Sequence, residues 1–221
     1  MGEGPIERLL AALQREDWRT IKRAIQAVET AGLWLEAARG ISEMGPVPTL
    51  IRSEFHVLWT ERGHHMRAFI DEDSVLIAAL RVLLPSYDGS TQVLYRGESL
   101  ARARLRQYGT GWTTKIETAR MFASGLNAVE PDGGVLLRAY VPKEDIIAGP
   151  SDHSRHLTEE EYVIDPRQLV VSQVEIFSPL LGNTSFKPQI LELIPEDLKF
   201  KSSNYLRDIE FIYPRQKPSK P

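Results

Sequence analysis

The chain has 221 residues, of which 42% are hydrophobic and 26% are charged, a balance typical of a folded globular protein. The formal net charge of -3 excludes a general electrostatic attraction to nucleic acid or to anionic membranes. The absence of cysteine excludes disulfides, thiolate metal sites and cysteine nucleophiles.

The amino-terminal sequence lacks the basic segment and continuous apolar core of a secretory signal. The sequence contains no run of about 18 apolar residues, so it predicts no membrane-spanning helix. We therefore expect a cytoplasmic protein, or one exported into a target cell by a specialised secretion system that needs no cleaved signal.

The first 88 residues predict a helical lobe, because apolar residues recur there at the spacing of one helix face. These apolar positions are Ile6, Leu9, Leu10 and Leu13 in a first segment, and Ile21, Ile25 and Val28 in a second. Gly45–Pro48 is a break, after which a helix is expected around Leu50–Glu61. A further helix is expected to begin with Ser74 as N-cap and to stop at Pro85.

After residue 90 the pattern changes to short segments rich in apolar and β-branched residues, which predict strands. The expected strands cover residues 92–95, 134–141, 162–164 and 169–177. Ile116, Ala119 and Phe122 have helical spacing between them. A helical lobe followed by a strand-rich core is typical of an α+β protein.

The predicted organisation has four parts. They are a helical N-terminal lobe at 1–88, a strand-rich core at 89–180, a C-terminal extension packed on the core at 181–213, and a disordered tail at 214–221, which is basic and rich in proline.

Common nucleotide and metal motifs are missing from the sequence. Gly109-Thr110-Gly111 lacks the later glycine of a dinucleotide fingerprint, and no phosphate-binding Gly-Lys-Ser/Thr loop is present. The adjacent pair His64 and His65 would point about 100° apart on a helix, which suits a surface role better than a shared metal. His153 and His156 are expected in a polar loop without ligand spacing, so no metal site is expected.

Three short blocks in the second half carry polar residues of chemical interest. The first is "VLYRGES" (93–99), in which Arg96 precedes Gly97. The second is "GTGWTTKIETARMFA" (109–123), in which hydroxyl residues lead into a helix. The third is "EEEYVIDP" (159–166), an acidic run attached to an apolar strand.

In this order the blocks resemble the Arg, Ser-Thr-Ser, Glu-x-Glu signature of the mono-ADP-ribosyltransferase superfamily, on its arginine-modifying, cholera-toxin-like branch. The resemblance implies a compact β-sandwich core of two small sheets. It also implies that NAD is consumed as a substrate, that ADP-ribose is transferred, and that no metal takes part. Bacterial toxins, effectors and defence proteins of this type act as glycosyltransferases on protein arginine.

The resemblance assigns a role to each matching residue. Glu161 matches the catalytic glutamate, which bonds the ribose 2′-hydroxyl and stabilises the positive charge that develops when the nicotinamide–ribose bond breaks. Arg96 matches the strand arginine that holds the dinucleotide, a task for which a planar guanidinium is suited. Gly97 matches the position that bonds the nicotinamide carboxamide, and Phe122 an aromatic wall of the nicotinamide pocket. Thr113 matches one of the hydroxyl positions of the middle block.

The acidic run also predicts a second functional carboxylate. On a strand, Glu159 and Glu161 would share one face while Glu160 points to the other, towards solvent. Two carboxylates on one side of a cleft raise each other's pKa and attract a cation. In the family, the glutamate two residues before the catalytic one receives the acceptor arginine, a role that falls to Glu159. Residues 150–158 occupy the place of the target-recognition turn.

The middle block departs from the family pattern. Its register is either Gly111-Trp112-Thr113 or Trp112-Thr113-Thr114, and Thr113 is a hydroxyl in both. The first serine is replaced by glycine or tryptophan, for which Thr110 or Thr114 could compensate. Trp112 itself is more typical of a core residue than of a ligand-stacking one.

Two other functional classes remain open from the sequence. One is an NAD glycohydrolase, or a transferase acting on a nucleic-acid base, although the net acidity and Glu159 disfavour a nucleic-acid acceptor. The other is a non-catalytic binding module with the same fold. The expected partners are a protein substrate with a target arginine and an immunity or antitoxin protein, with no membrane.

Overall fold

The computed structural model of the protein describes residues 3–15 and 17–177. Its first half consists of five helices. They are α1 Pro5–Leu13, α2 Trp18–Ala31, α3 Trp34–Ser42, α4 Thr49–Ile70 and α5 Asp73–Leu83. The helices expected from the apolar spacing before Gly32 are confirmed as α1 and α2. Gly32 ends α2 in the left-handed conformation, at φ 68°.

Helix α4 is longer than the sequence pattern indicated. It begins at Thr49, directly after Pro48, but it runs to Ile70 rather than ending near Glu61. Gly63 lies inside it without breaking it, and a Cβ there would come within 2.7 Å of the Trp59 ring. The absence of a side chain at Gly63 therefore leaves room for the Trp59 ring on this face of the helix.

The expected N-cap of α5 at Ser74 is wrong. The helix already begins at Asp73, and Glu72 occupies the cap position without a side-chain cap hydrogen bond. Asp73 instead accepts hydrogen bonds from Arg67 of α4. Helix α3, between Gly32 and the Gly45–Pro48 break, was not predicted as a separate element.

The described part of the second half, up to residue 177, contains six strands in one sheet, with three helices between them. The strands are β1 Gln92–Ser99, β2 Gly111–Thr113, β3 Gly134–Val141, β4 Ile146–Ala148, β5 Glu161–Ile164 and β6 Val171–Phe177. The helices are α6 Leu100–Arg104, α7 Ile116–Ser124 and α8 Asp152–His156, and a 3-10 turn covers Lys143–Asp145.

The sheet has the order β4-β5-β2-β1-β3-β6, and all its neighbouring strands are antiparallel. Helices with an antiparallel sheet confirm the α+β class. The two small sheets implied by the resemblance are not confirmed, because the described strands belong to one sheet.

Most of the expected strands are confirmed, with shifted ends. β3 covers the expected residues, and β1 continues past Tyr95 to Ser99, so that Arg96 lies inside the strand rather than at its end. The short strands β2 and β4 were not predicted. His153 and His156 lie in α8 rather than in a loop.

The helical half and the sheet share one hydrophobic core. Its buried side chains come from α1 to α5 together with Ile147, Ala148 and Val163 of the sheet. A second core lies around Leu94, Trp112 and the other buried residues of the sheet. Because one core joins the two halves, α4 is fixed against the sheet, and the space between them has defined walls.

No helix within 3–15 or 17–177 is long and apolar enough to cross a membrane. The predicted extension at 181–213 and tail at 214–221 lie outside the described residues.

Candidate active site

A cleft of about 540 Å³ lies between helix α4 and the sheet. This volume is in the range of sites that bind small molecules and cofactors. Its helical wall consists of Trp59, Thr60, Gly63, His64, Arg67, Ala68, Asp71 and Asp73. Its other wall consists of Arg96, Arg102, Gln107, Gly109, Thr110, Gly111 and Glu161. All three blocks found in the sequence thus contribute to one cleft: the first supplies Arg96, the second supplies residues 109–111, and the third supplies Glu161.

Arg96 is held in the cleft by two acceptors. Its Nε donates to Glu98 Oε2 (2.9 Å) and its Nη1 donates to the Gly111 carbonyl oxygen (2.6 Å). Its remaining nitrogen, Nη2, lies against Gly109, where a Cβ would be only 2.1 Å away. The absence of a side chain at Gly109 is therefore what allows the guanidinium to occupy this position.

Glu98 is the buried counter-ion of this arrangement, and the sequence reasoning missed it. Besides Arg96, it accepts hydrogen bonds from the backbone N–H groups of Ser99 and Gly109, both at 3.1 Å, and it lies 3.5 Å from Arg102 Nε. Burial opposes its ionisation, but Arg96 and Arg102 outweigh burial and hold its pKa below the usual range. The signal was present in the sequence, because Arg96 and Glu98 are two residues apart on a strand and share a face.

Glu161 is the first residue of β5, and its carboxylate lies beside Gly111. A Cβ on Gly111 would be 2.8 Å from Glu161 Oε2, so this glycine permits the close approach. Burial in the cleft raises the pKa of Glu161 to about 7; Arg96 acts in the opposite direction and Glu159 adds to the rise. Arg96 and Glu161 thus meet at Gly111, with a carboxyl group that titrates near neutral pH.

The strand-alternation argument for Glu159 is wrong in its premise. β5 begins only at Glu161, and Glu160 has φ 47°, so Glu159 and Glu160 belong to a turn rather than to the strand. Glu159 nevertheless lies close enough to Glu161 for its charge to raise that residue's pKa. Glu159 and Glu161 therefore lie near each other, as predicted, but a turn and not strand alternation brings them together.

Glu160 lies on the outer side of this turn, as expected. Its side chain is 37% exposed and pairs with Lys115 Nζ at 3.1 Å. It also accepts a hydrogen bond from Thr114 Oγ1 (3.2 Å). The contact with Lys115 is the main cause of its lowered pKa.

Thr113 is buried and holds the turn before β5. Its Oγ1 donates to the Glu159 carbonyl oxygen (2.7 Å) and accepts from the Lys115 N–H (3.0 Å). In the sheet it is paired with Glu161. Thr113 does not line the cleft. It contacts Glu159 and Glu161 through their backbone, by the hydrogen bond to the Glu159 carbonyl oxygen and by strand pairing with Glu161.

The other residues of the middle block have distinct places. Thr110 lines the cleft, whereas Thr114 faces Glu160 on the surface. Trp112 is 1% exposed, and its indole N–H donates to the Gly109 carbonyl oxygen, which confirms it as a core residue.

Gly97 and Phe122 do not line the cleft. Gly97 is packed under α7, where a Cβ would lie 2.4 Å from the Ala119 carbonyl oxygen and the Ala123 nitrogen. The glycine is therefore required by helix packing, whatever else it does. Phe122 is partly buried on α7.

From the sequence, the helical lobe was expected to cover one side of the cleft or to bind the target, but the residues of its wall were not identified. His64 lines the cleft and its neighbour His65 does not, although their rings are only 3.9 Å apart. Within the described ranges no group of three or more His, Cys, Asp or Glu side chains is placed to hold a metal. Charged residues on a helix face ordinarily indicate solvent exposure, so Arg67 was not expected in a site.

Comparisons of the chain with family models, with curated proteins and with solved structures give no match.

Proposed function

We propose that the protein is a mono-ADP-ribosyltransferase that cleaves NAD and transfers ADP-ribose to an arginine of a protein partner. The observation that carries this proposal is the meeting of Arg96 and Glu161 at Gly111 in one cleft. The three blocks that suggested the activity lie on the neighbouring strands β5, β2 and β1. This placement also supports, as part of the proposal, an ADP-ribosyltransferase-like core.

Glu161 would stabilise the transition state of bond cleavage. When the bond between nicotinamide and ribose C1′ breaks, nicotinamide leaves with the electron pair and positive charge develops on the ribose. An ionised carboxylate in a partly desolvated cleft stabilises such a charge more than it would in water. Arg96, whose guanidinium is already fixed by two acceptors, would orient the dinucleotide without a further loss of side-chain freedom.

Glu159 would receive the acceptor. An arginine nitrogen of the partner attacks ribose C1′, and the proton it loses passes to a neighbouring carboxylate. Glu159 lies in the turn before β5 and its charge acts on Glu161, so it is suited to bring a guanidinium to the reacting carbon. The proposed setting is a bacterial toxin, effector or defence protein with an immunity or antitoxin partner.

The proposal is tested by incubating the purified protein with labelled NAD and with lysates that contain candidate acceptors. We expect label on protein arginine, and we expect Glu161→Ala to abolish it. Glu159→Gln should lose arginine labelling but retain NAD hydrolysis, since only the acceptor step needs this residue. Glu160→Gln, in the same acidic run, is the matched control and should label like the wild type.

The other outcomes identify the alternatives. Label on RNA or DNA would indicate a nucleic-acid acceptor, and free ADP-ribose alone would indicate a glycohydrolase. A protein that neither turns over nor binds NAD would be a non-catalytic module. Wild-type labelling by Glu159→Gln would contradict the role proposed for Glu159.

A further inference from the structure

Among the residues that the structure describes, three arginines line the cleft, and of these only Arg96 belongs to the motifs found in the sequence. Arg67 comes from α4 in the helical half, and Arg102 comes from α6, the short helix after β1. The side chains of Arg96 and Arg67 are 23% and 18% exposed, so both are held within the cleft rather than in open solvent.

The three guanidinium groups are close enough to act on one another. Burial lowers the pKa of Arg67, Asp73 raises it, and the charges of Arg102 and Arg96 lower it further. A cluster of this kind is unfavourable unless negative charge lies between its members.

The carboxylates in contact with the cluster do not balance it. Glu98 is shared by Arg96 and Arg102, while Asp73 pairs with Arg67. Within the described part of the chain, two carboxylates therefore contact three guanidinium groups. The other acids of the cleft are Asp71, which is exposed at the end of α4, and Glu161, which is partly protonated near pH 7.

We propose that Arg67 and Arg102 complete, together with Arg96, a binding site for a diphosphate group, so that the helical half supplies one of its ligand-binding residues. Guanidinium groups bind phosphate oxygens with paired, charge-assisted hydrogen bonds, and a diphosphate spans more than one of them. The identification of this diphosphate as the one in NAD rests on the proposed function. The site itself requires only a nucleoside diphosphate.

Asp73 has a specific part in this site. It holds Arg67 through hydrogen bonds of 3.0–3.2 Å from Nε and Nη2. A diphosphate competes with Asp73 for these donors and is repelled by its charge. Asp73 therefore limits the affinity of the site for a diphosphate. Removing its charge should raise this affinity, whereas removing an arginine should lower it.

The test is calorimetric binding of ADP, with adenosine as the phosphate-free comparison. ADP carries the diphosphate but no nicotinamide, so the result does not depend on NAD turnover. The wild type should bind ADP at least tenfold more tightly than adenosine. Arg67→Gln and Arg102→Gln should each weaken ADP binding by about tenfold, with little effect on adenosine.

The same helices offer matched controls. Arg62→Gln on α4 and Arg104→Gln on α6 remove exposed arginines that pair with Glu29 and Asp132 outside the cleft. Both should bind ADP like the wild type.

The direction in which Asp73→Asn changes ADP affinity separates the two interpretations of the Arg67–Asp73 pair. It should strengthen ADP binding several-fold, because Arg67 is then free for the ligand. If Arg67 and Asp73 were only a structural pair, Asp73→Asn would leave ADP affinity unchanged or weaken it. Thermal melting of each variant confirms that it is folded.

Equal ADP affinity in Arg67→Gln and the wild type would overturn the proposal, as would wild-type protein that does not distinguish ADP from adenosine. Either result would leave the proposed function standing if nicotinamide were still released from NAD. Conversely, ADP binding with the predicted variant pattern, but without NAD turnover, would support the diphosphate site and contradict the transferase.

Discussion

At the scale of single residues, the site depends on two glycines as much as on its charged groups. Gly109 makes room for Arg96 and Gly111 makes room for Glu161. Both lie in the Gly-Thr-Gly segment that, read as a sequence, is only an incomplete dinucleotide motif. Its glycines are explained by close approach of side chains rather than by a phosphate-binding turn.

Gly109→Ala should therefore damage ligand binding more than folding. The new methyl group would meet Arg96 Nη2, while Glu98 and Gly111 hold the rest of the guanidinium in place. We expect NAD or ADP affinity to fall by about tenfold, measured by calorimetry. Gly45→Ala is the control, because a Cβ at Gly45 meets nothing within 4 Å. Unchanged affinity in Gly109→Ala would show that Arg96 is not positioned by this contact.

Glu161 should make stability depend on pH. Its pKa of about 7 in the folded protein is above the ordinary value of 4.5, so the folded state binds an extra proton between these values. Because the folded state binds more protons, the free energy of unfolding falls as pH rises through this window and stays lower above pH 7. Glu161→Gln removes this cost, and we expect it to be more stable than the wild type at pH 8 by about 1–3 kcal/mol.

Chemical denaturation at pH 5 and pH 8 checks this expectation. The stability difference between Glu161→Gln and the wild type should increase with pH, because the cost arises from ionisation in the cleft. Asp88→Asn, at an exposed carboxylate in the turn before β1, is the control and should show no such trend. A difference that is independent of pH would mean that Glu161 is not held in a desolvated environment.

At the scale of elements, the sequence predicted those whose pattern is complete within the segment. β3 is a continuous apolar run and was found with its correct ends, as was the spacing that produces α1. β2 has only three residues, and it is extended because it pairs with β1 on one side and β5 on the other. Such a strand is defined by its neighbours, so its own residues give little indication of it.

The residues of the candidate site likewise fall into those that the sequence pointed to and those that it did not. Arg96 and Glu161 were identified because their chemistry resembles a known signature. Arg67 was not, because a charged residue on a helix predicts solvent exposure unless the partner surface is known. The position of Glu159 was expected from strand alternation but is produced by a turn, with Glu160 at positive φ. Which elements face each other across a cleft is a property of tertiary packing that local patterns do not contain.

Thr113 is the side-chain link between β2 and this turn. Thr113→Val keeps the shape but removes the hydrogen bond to the Glu159 carbonyl oxygen and the one from the Lys115 N–H. We expect arginine transfer to fall more than NAD hydrolysis, and stability to fall by about 1–3 kcal/mol because the half-buried Lys115 N–H and the Glu159 carbonyl oxygen both lose a partner. Assays of both reactions on one preparation check this split.

Thr113→Ser should restore most of the transfer activity, since it returns the hydroxyl. Thr118→Val is the matched control, because its hydroxyl makes only a 3.5 Å contact to the Thr158 carbonyl oxygen. Equal loss of transfer and hydrolysis in Thr113→Val would show that the turn does not act on the acceptor step.

At the scale of the whole molecule, the cleft exists because helices and sheet share a core. Ile147, Ala148 and Val163 of the sheet pack among the helices, which fixes α4 opposite β1 and β5. The helical half is therefore part of the site, as one wall that carries Arg67. We propose that this assembly breaks the nicotinamide–ribose bond with Glu161 as its essential carboxylate.

The most direct test is the release of nicotinamide from NAD by the purified protein, measured from pH 6 to pH 8.5. Because the role proposed for Glu161 requires its carboxylate form, kcat/KM should rise with pH with a midpoint near 7, the pKa of Glu161, and Glu161→Gln should release essentially none. Nicotinamide release by Glu161→Gln at the wild-type rate, or a wild-type protein that neither binds NAD nor releases nicotinamide, would contradict the claim.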